Sequence, residues 1–161
     1  MPKVSIIMPA YNAGKYIAIA IESILAQTFK DWELVITDDC STDNTVEIIE
    51  GFCKEYKNIR LIKRDTNSGA ARLPRRSSAY ASTGEFIMTY DADDFLDYDY
   101  VEKMYNRQQE TRADIILSTL HICNQIGEVN GFCIPDASFP LECIISGKEA
   151  TKYLLGEVAI S

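Results

Sequence analysis

Long apolar runs, positive charge and histidine are all scarce in this sequence of 161 residues. No apolar run approaches the roughly 20 residues that a helix needs to cross a bilayer, so we expect no transmembrane segment and, at most, a peripheral association with a membrane. Sixteen lysines and arginines stand against 24 aspartates and glutamates, a net charge of −8. Nucleic acid is therefore disfavoured as a partner, because affinity for it rests largely on clustered positive charge.

The cysteine and histidine patterns argue against a zinc site. None of the cysteines forms a CxxC pair, and the single histidine, His121, lies in an apolar stretch where we expect a structural role. The odd number of cysteines, without a secretory signal before them, favours free thiols in a reducing compartment. We therefore expect a cytoplasmic protein, with any membrane association at the inner face. The cysteines are Cys40, Cys53, Cys123, Cys133 and Cys143.

Strand patterns alternate with helical patterns along the chain. The composition is that of a soluble globular protein, and the length predicts a single domain over 1–161. Pro9 is expected to end the first strand. The alternation predicts an α/β fold, an open and mostly parallel sheet with helices on both faces, which binds ligands beyond the carboxyl ends of its strands. We predict strands at 4–8, 32–37, 59–63, 86–90 and 114–119, with helices between them, including one over 70–83, and a last helix after Ser146.

An acidic cluster, Asp91, Asp93 and Asp94, follows the fourth predicted strand. Three carboxylates so close repel one another unless something positive lies between them. A divalent cation such as Mg²⁺ or Mn²⁺ suits these hard oxygen ligands and completes its shell with phosphate and water. The alternative is a solvated acidic loop that caps the next helix, and the cluster alone does not decide between the two.

Polar and aromatic residues also follow the first two strands. Asp38 and Asp39 come after the second strand, where they act either as negative charges at a helix start or as acceptors for a base N–H or a sugar hydroxyl. Tyr11 follows the first strand and offers a face for stacking a base, or packs as a half-buried side chain. If the predicted sheet forms, these residues and the acidic cluster meet in one crevice.

Three arginines, Arg72, Arg75 and Arg76, follow a turn signal at 67–69. Guanidinium groups suit phosphate oxygens, although arginines on a helix surface are often only solvated. Together with the acids and the tyrosine, they make up the parts of a site for a nucleotide diphosphate.

Five motifs, in order and in register, resemble those of glycosyltransferase family 2. The resemblance covers 2–96 and implies the Rossmann-like GT-A fold and an inverting transfer of a sugar from a nucleotide diphosphate sugar, such as a UDP-sugar, to a hydroxyl of a saccharide or lipid-linked saccharide. It also implies a place in the synthesis of cell-surface or capsular polysaccharide. The motifs lie at 9–12, 23–29, 38–43, 67–69 and 84–94.

The resemblance assigns roles to individual residues. It places Tyr11 over the base and Asp39 on its ring N–H, and it places Arg75 near the base or the phosphate. Asp91 and Asp93 match the carboxylates at the ribose and the metal. The nucleotide-sugar-binding residues are therefore predicted to be Pro9, Tyr11, Asp38, Asp39, Arg75, Asp91 and Asp93. The predicted ligands of Mn²⁺ or Mg²⁺ are Asp93 and Asp94.

The sequence departs from the family pattern at three points. Cys40 stands where glycine is usual, which suggests a strained turn, and Arg76 stands where asparagine often follows the arginine. No acid, Glu142 and Glu149 included, has the context of the family's general base, so we assign none and expect the acceptor and base segment to be missing. A donor-binding fragment without transfer activity is the first alternative; a sugar nucleotidyltransferase and a phospho-receiver domain are the others.

Overall fold

The computed structural model of the protein describes residues 1–118, 120–123 and 129–133. These fall in two compact units, Met1–Lys103 and Met104–Ser161. The prediction of a single domain over 1–161 stays a prediction, since much of the second unit lies outside the described residues. In chain order the elements are β1 (Val4–Ala10), α1 (Ile17–Leu25), β2 (Trp32–Asp38), α2 (Thr45–Glu55), β3 (Ile59–Lys63), α3 (Arg72–Ala81), β4 (Phe86–Thr89), α4 (Tyr100–Thr111), β5 (Leu120–Cys123) and β6 (Val129–Cys133).

The first unit is built on a parallel sheet with the strand order β3-β2-β1-β4. All seven residues of β1 and all seven of β2 are buried. Because successive side chains of a strand point to opposite faces, this burial means that both faces of the central strands are covered. The predicted open parallel sheet is confirmed. None of the helices in the described part of the chain is long and apolar enough to cross a membrane.

The helices cover the sheet with apolar stripes and a few polar contacts. In α1, the buried residues Ile17, Ile21 and Ile24 recur at helical spacing. Each side chain of this size contributes roughly 1.5–3 kcal/mol when it is fully buried. On α3, the hydroxyl of Ser78 lies 2.7 Å from the hydroxyl of Thr37 in β2, so each of these buried hydroxyls has a hydrogen-bond partner.

The sequence placed most elements to within two residues of their ends, but β1 runs through Pro9 to Ala10, so the expectation that Pro9 ends the strand is wrong. The hydrogen bonds of β1 alternate between its neighbours. The carbonyl of Ile7 accepts from Tyr90 N–H on the β4 side, and the carbonyl of Ala10 accepts from Asp39 N–H on the β2 side. The nitrogen of Pro9 therefore faces the β4 side, past the last residue of β1 that pairs with β4. Its missing N–H does not interrupt the ladder, which removes the usual objection to proline in a central strand.

The strand predicted at 114–119 is wrong over its described part. Residues 114–118 lie outside any strand, and Ile115 and Leu117 are exposed. The strand of this region is β5, which pairs antiparallel with β6. A short apolar run does not say which segment it will pair with, and pairing decides where the strand forms. Residue 119, the helix predicted after Ser146 and the side chain of His121 lie outside what the structure describes.

A buried carboxylate, Glu33 of β2, ties together the amino-terminal edge of the sheet. It accepts hydrogen bonds from the Ser5 hydroxyl at 2.7 Å, the Thr83 N–H at 2.6 Å and Arg60 at 2.7 Å. Burial by itself raises the pKa of Glu33, but these hydrogen bonds outweigh it and lower the pKa to about 2. A Cβ at Gly84 would lie 2.6 Å from the Ser5 hydroxyl oxygen, so glycine alone lets the chain enter β4 at this distance.

Candidate functional site

A cleft of about 460 Å³ opens beyond the carboxyl ends of β1, β2 and β4. Residues that follow separate strands meet there, because parallel strands bring their carboxyl ends to one edge of the sheet. Asp38, Arg75 and Asp94 are not part of its lining. A second surface cavity, of about 580 Å³, lies beside α2 and β3 and contains none of the predicted site residues. The predicted residues that line the cleft are Pro9, Tyr11, Asp39, Asp91 and Asp93.

The segment after β1 is hydrogen-bonded to the segment after β2. Tyr11 follows β1 directly and is 52% exposed, so its ring is available to a ligand. Next to it, Asn12 has a positive φ of 48°. The Asn12 side-chain oxygen accepts a hydrogen bond from Thr42 N–H at 2.8 Å, and its backbone N–H donates to the Ser41 hydroxyl at 2.9 Å. These bonds fix the backbone on the carboxyl side of Tyr11.

Asp43 continues this clamp at the start of α2. Its carboxylate accepts hydrogen bonds from Gly14 N–H and Thr45 N–H, both at 3.0 Å. The hydrogen bond from the Thr45 hydroxyl is the main cause that lowers the pKa of Asp43. A Cβ at Gly14 would lie 2.0 Å from the side-chain oxygen of Asn44 and 2.9 Å from Asp43 Oδ2, so a larger residue there would displace these side chains from the clamp. Asp43 therefore accepts from the first residue of α2 and serves the start of that helix.

Asp38 is buried and turned into its own loop. Both of its carboxylate oxygens accept hydrogen bonds from Ser41, one from the backbone N–H at 3.0 Å and one from the hydroxyl. Between them Cys40 has a φ of 67°, in the left-handed region that favours glycine. The expected strain at Cys40 is therefore confirmed. A direct role for Asp38 in binding stays a prediction, and its observed contacts shape the loop that carries Asp39.

Asp39 is buried and faces the cleft. One carboxylate oxygen accepts hydrogen bonds from the backbone N–H and the hydroxyl of Ser68, at 2.9 and 2.7 Å. The other lies 2.8 Å from Nε of Arg64. Gly69, next to Ser68, has a φ of 75°, which confirms the predicted turn. Sequence reasoning missed Arg64 and Ser68, and the only available signal was their position beside this turn.

The acidic cluster lies at the other side of the cleft. Asp91 forms an ion pair with Arg75 of α3, while Asp93 is exposed. Partial desolvation, followed by the charges of Asp93 and Asp91, raises the pKa of Asp94. The mutual repulsion that the sequence predicted is therefore present. Arg76 stacks on Tyr80, with 5.2 Å from its guanidinium carbon to the ring centroid, and so points to a different partner from Arg75.

A buried tyrosine anchors the acidic cluster to α1. The hydroxyl of Tyr90 donates to the carbonyl of Asp94 at 2.7 Å and lies 3.0 Å from the hydroxyl of Ser23. Burial raises the pKa of Tyr90 far above its usual value. The buried amide of Gln27 bonds the carbonyl of Asp97 and the N–H of Val101, at 2.7 and 3.0 Å. Ser23 and Gln27 thus hold the chain that follows the cluster, a role sequence reasoning did not assign.

The described residues contain no ready-made group of three or more histidine, cysteine or acidic side chains that could hold a metal. Asp91 and Asp93 nevertheless line one cleft and present hard carboxylate oxygens. Such a set fits Mg²⁺ or Mn²⁺ where phosphate and water complete the coordination, as those ions commonly require.

Comparison with known proteins identifies the family. The sequence model of glycosyl transferase family 2 matches residues 5–136. The chain is 37% identical over 144 residues to the poly(ribitol-phosphate) beta-N-acetylglucosaminyltransferase TarP of Staphylococcus aureus, covering 86% of this chain and 41% of TarP. It is 32% identical over 139 residues to the poly(ribitol-phosphate) beta-glucosyltransferase of Bacillus spizizenii, covering 85% of this chain and 21% of the relative.

A solved structure agrees with these relatives. The crystal structure of residues 1–349 of S. aureus TarS in complex with UDP-GlcNAc matches with a TM-score of 0.70 and 32% identity, covering 85% of this chain and 38% of that one. The likeness confirms the GT-A, Rossmann-like α/β fold. The chain spans less than half the length of these relatives. It belongs to glycosyl transferase family 2.

Proposed function

We propose that this chain is the donor-binding part of a glycosyltransferase that moves a sugar from a nucleotide diphosphate sugar, a UDP-sugar, to a hydroxyl acceptor with inversion. The observation that carries the proposal is the single cleft that gathers Pro9, Tyr11, Asp39, Asp91 and Asp93 from the ends of separate strands. TarS, a similar protein, has been solved with UDP-GlcNAc. Membership of the family identifies neither the sugar that is transferred nor the acceptor, so both belong to the proposal.

The proposed donor site divides into a base end and a phosphate end. At the base end, the exposed ring of Tyr11 stacks on the nucleobase and the buried carboxylate of Asp39 accepts its ring N–H. At the phosphate end, Arg75 provides a guanidinium and Asp91 a ribose or metal contact. Tyr11, Asp39 and Asp91 line one cleft, and Arg75, outside its lining, contacts Asp91.

A divalent cation, Mn²⁺ or Mg²⁺, completes the proposed site, held by Asp93 and Asp94 with Asp91 beside them. When bound, it supplies positive charge that stabilises the leaving diphosphate. The residues of this chain hold and orient the cluster: Tyr90 fixes the backbone at Asp94, which lies next to the lining, and Asp91 and Asp93 line the cleft. Partial burial is the main cause of the raised pKa of Asp94, and the charges of Asp93 and Asp91 add to it.

The proposed acceptor is a saccharide or lipid-linked saccharide of a cell-surface polysaccharide. The names of TarP and of the B. spizizenii relative, which act on poly(ribitol phosphate), support this class. The general base is not assigned. If the chain proves to transfer sugar, Asp136 and Glu142 are the first acids to test as the base, and both lie outside the described residues. The alternative is a donor-binding module without transfer activity. We also propose a cytoplasmic location, at most peripheral to a membrane, which the free thiols of Cys40 and Cys53 support.

Isothermal titration calorimetry tests the donor proposal. UDP, UDP-GlcNAc and UDP-glucose are titrated into the chain with Mn²⁺, with Mg²⁺ and with a chelator. Binding of UDP that strengthens when either metal is present is the expected result. The control ligand is uridine, which lacks the diphosphate and should gain nothing from metal. Absence of UDP binding under all conditions would reject the proposed function, and equal affinity with chelator would reject the metal.

A further inference from the structure

The segment that follows β3 holds the carboxylate of Asp39 from two sides. Oδ2 accepts two hydrogen bonds from Ser68, and Oδ1 lies 2.8 Å from Nε of Arg64. The side chains of Asp39 and Arg64 are 5% and 25% exposed, so the pair is largely withdrawn from water. The backbone N–H of Arg64 also donates to the carbonyl of Asp38 at 3.0 Å, which ties this segment to the end of β2.

One acceptor of this buried carboxylate is unused. Asp39 Oδ1 and Arg64 Nε are shielded from solvent, and neither makes a hydrogen bond within the described part of the chain. Their close approach is that of an ion pair without hydrogen-bond alignment. Buried polar atoms in proteins are nearly always hydrogen-bonded, so an orphaned one calls for a partner that the protein itself does not supply. Asp39 lines the cleft, and a ligand bound there can supply that partner.

We infer that Arg64 and Ser68 are positioning residues that hold Asp39 as a fixed acceptor and so make the cleft select bases by their ring N–H. Uracil, thymine and guanine present an N–H at the pairing edge of the ring. Cytosine and adenine present a lone pair at the corresponding nitrogen, which a carboxylate repels. The inference rests on the proposed function, because it takes the donor nucleotide as the ligand of the cleft.

Two features of the contacts separate positioning from mere stability. Ser68 occupies only Oδ2, so the carboxylate keeps Oδ1 for a ligand and cannot turn without losing two hydrogen bonds. The guanidinium of Arg64 lies against Oδ1 and balances its charge without using it as a hydrogen-bond acceptor. A site built to hydrogen-bond one group rejects an analogue that lacks it, because its own polar group is then left unpaired.

The test compares the affinities of UDP and CDP for the 161-residue chain at one fixed Mn²⁺ concentration. We expect the unsubstituted chain to prefer UDP by about tenfold or more, the order expected for a hydrogen bond to a charged group. Arg64→Met should lower the UDP-to-CDP preference by about tenfold, and Arg64→Lys, which keeps the charge, should restore most of it. Ser68→Ala keeps the backbone N–H and should lower the preference less.

Arg60→Met is the matched control. Arg60 also pairs with a buried carboxylate of β2, Glu33, but at the opposite edge of the sheet. It should lower thermal stability and leave the UDP-to-CDP preference unchanged. If Arg64→Met behaves in the same way, the inference is overturned. If it does not fold, Arg64→Gln is measured instead, with the same expected loss and the same contrary result. Equal binding of UDP and CDP by the unsubstituted chain overturns the inference alone, whereas failure to bind either nucleotide overturns the proposed function with it.

Discussion

Arg75 of α3 forms an ion pair with Asp91, the first acid of the cluster that follows β4. The sequence predicted a different partner for each, phosphate for the arginine and ribose or metal for the carboxylate. Both side chains are part-exposed, 36% and 47%, and an exposed pair contributes only about 0–1 kcal/mol. A donor nucleotide that engages either side chain therefore displaces a weak internal partner. Substitutions at these two residues should therefore change the affinity for the nucleotide more than they change the free energy of unfolding.

Asp91→Asn should weaken UDP binding by about tenfold and change the free energy of unfolding by less than about 1 kcal/mol, because the lost ion pair is exposed. Calorimetry and urea unfolding measure the two quantities. Glu85→Gln is the matched control, since it breaks another exposed pair, with Lys3, at the start of β4, the end of the strand opposite the cluster. It should affect neither quantity strongly. Unchanged UDP affinity in Asp91→Asn would remove Asp91 from the proposed site.

Tyr90→Phe removes the hydroxyl that anchors the acidic cluster and keeps the ring. The carbonyl of Asp94 loses its donor at a part-buried position, so we expect a loss of about 0.5–1.5 kcal/mol in the free energy of unfolding. We also expect the gain in UDP affinity on adding Mn²⁺ to shrink. Tyr80→Phe, at a ring that is 77% exposed, is the control and should change neither. An undiminished Mn²⁺ effect in Tyr90→Phe would show that the hydroxyl does not position the metal ligands.

Acid unfolding should reveal the network around Glu33. Its pKa is about 2 in the folded protein against an ordinary value of 4.5, so its stabilising contribution is complete above pH about 4.5 and is lost as the pH falls through about 2. Glu33→Gln removes this titration. Between pH about 5 and 2, the free energy of unfolding should therefore fall less steeply in Glu33→Gln than in the unsubstituted chain. Parallel curves, measured by urea unfolding at each pH, would contradict the lowered pKa.

The sequence predicted the sheet because local pattern and fold agree there. β3 was predicted at its observed bounds, and β1 and β2 are short, largely apolar runs because both of their faces are buried. The prediction of a strand at 114–119 was wrong because an apolar run of that length does not show which segment it will pair with. The prediction that Pro9 ends β1 was wrong because the sequence does not show where the β1–β4 pairing ends, and a proline is tolerated beyond that point.

The candidate site was predicted in outline for the same reason. Residues that follow parallel strands must meet at one edge, so Tyr11, Asp39 and the acidic cluster could be brought together from the sequence. Their partners could not. Ser68 lies 29 residues from Asp39 in the chain, and whether it donates to that carboxylate depends on the path of the loop after β3. Arg75 likewise pairs with Asp91 through the packing of α3, which no pattern of residues reports.

Asp39→Asn and Asp93→Asn should separate the base end from the metal end of the cleft. Asp39→Asn should weaken UDP binding by a similar factor with Mn²⁺ and with chelator, because its proposed partner is the base. Asp93→Asn should leave binding with chelator unchanged and abolish the gain from Mn²⁺, because its proposed partner is the cation. Calorimetry of each variant under both conditions gives the four affinities required.

The stability of the two variants provides the control for this comparison. Asp39→Asn leaves Arg64, whose side chain is 25% exposed, without a counter-charge and should lower the free energy of unfolding by about 1–3 kcal/mol. Asp93 is exposed, and its substitution should cost little. Binding is therefore measured where unfolding curves show both variants to be fully folded. If both lost UDP affinity only when Mn²⁺ was present, Asp39 would belong to the metal end. If neither lost affinity, the acids would serve only the loops and helix starts in which they lie.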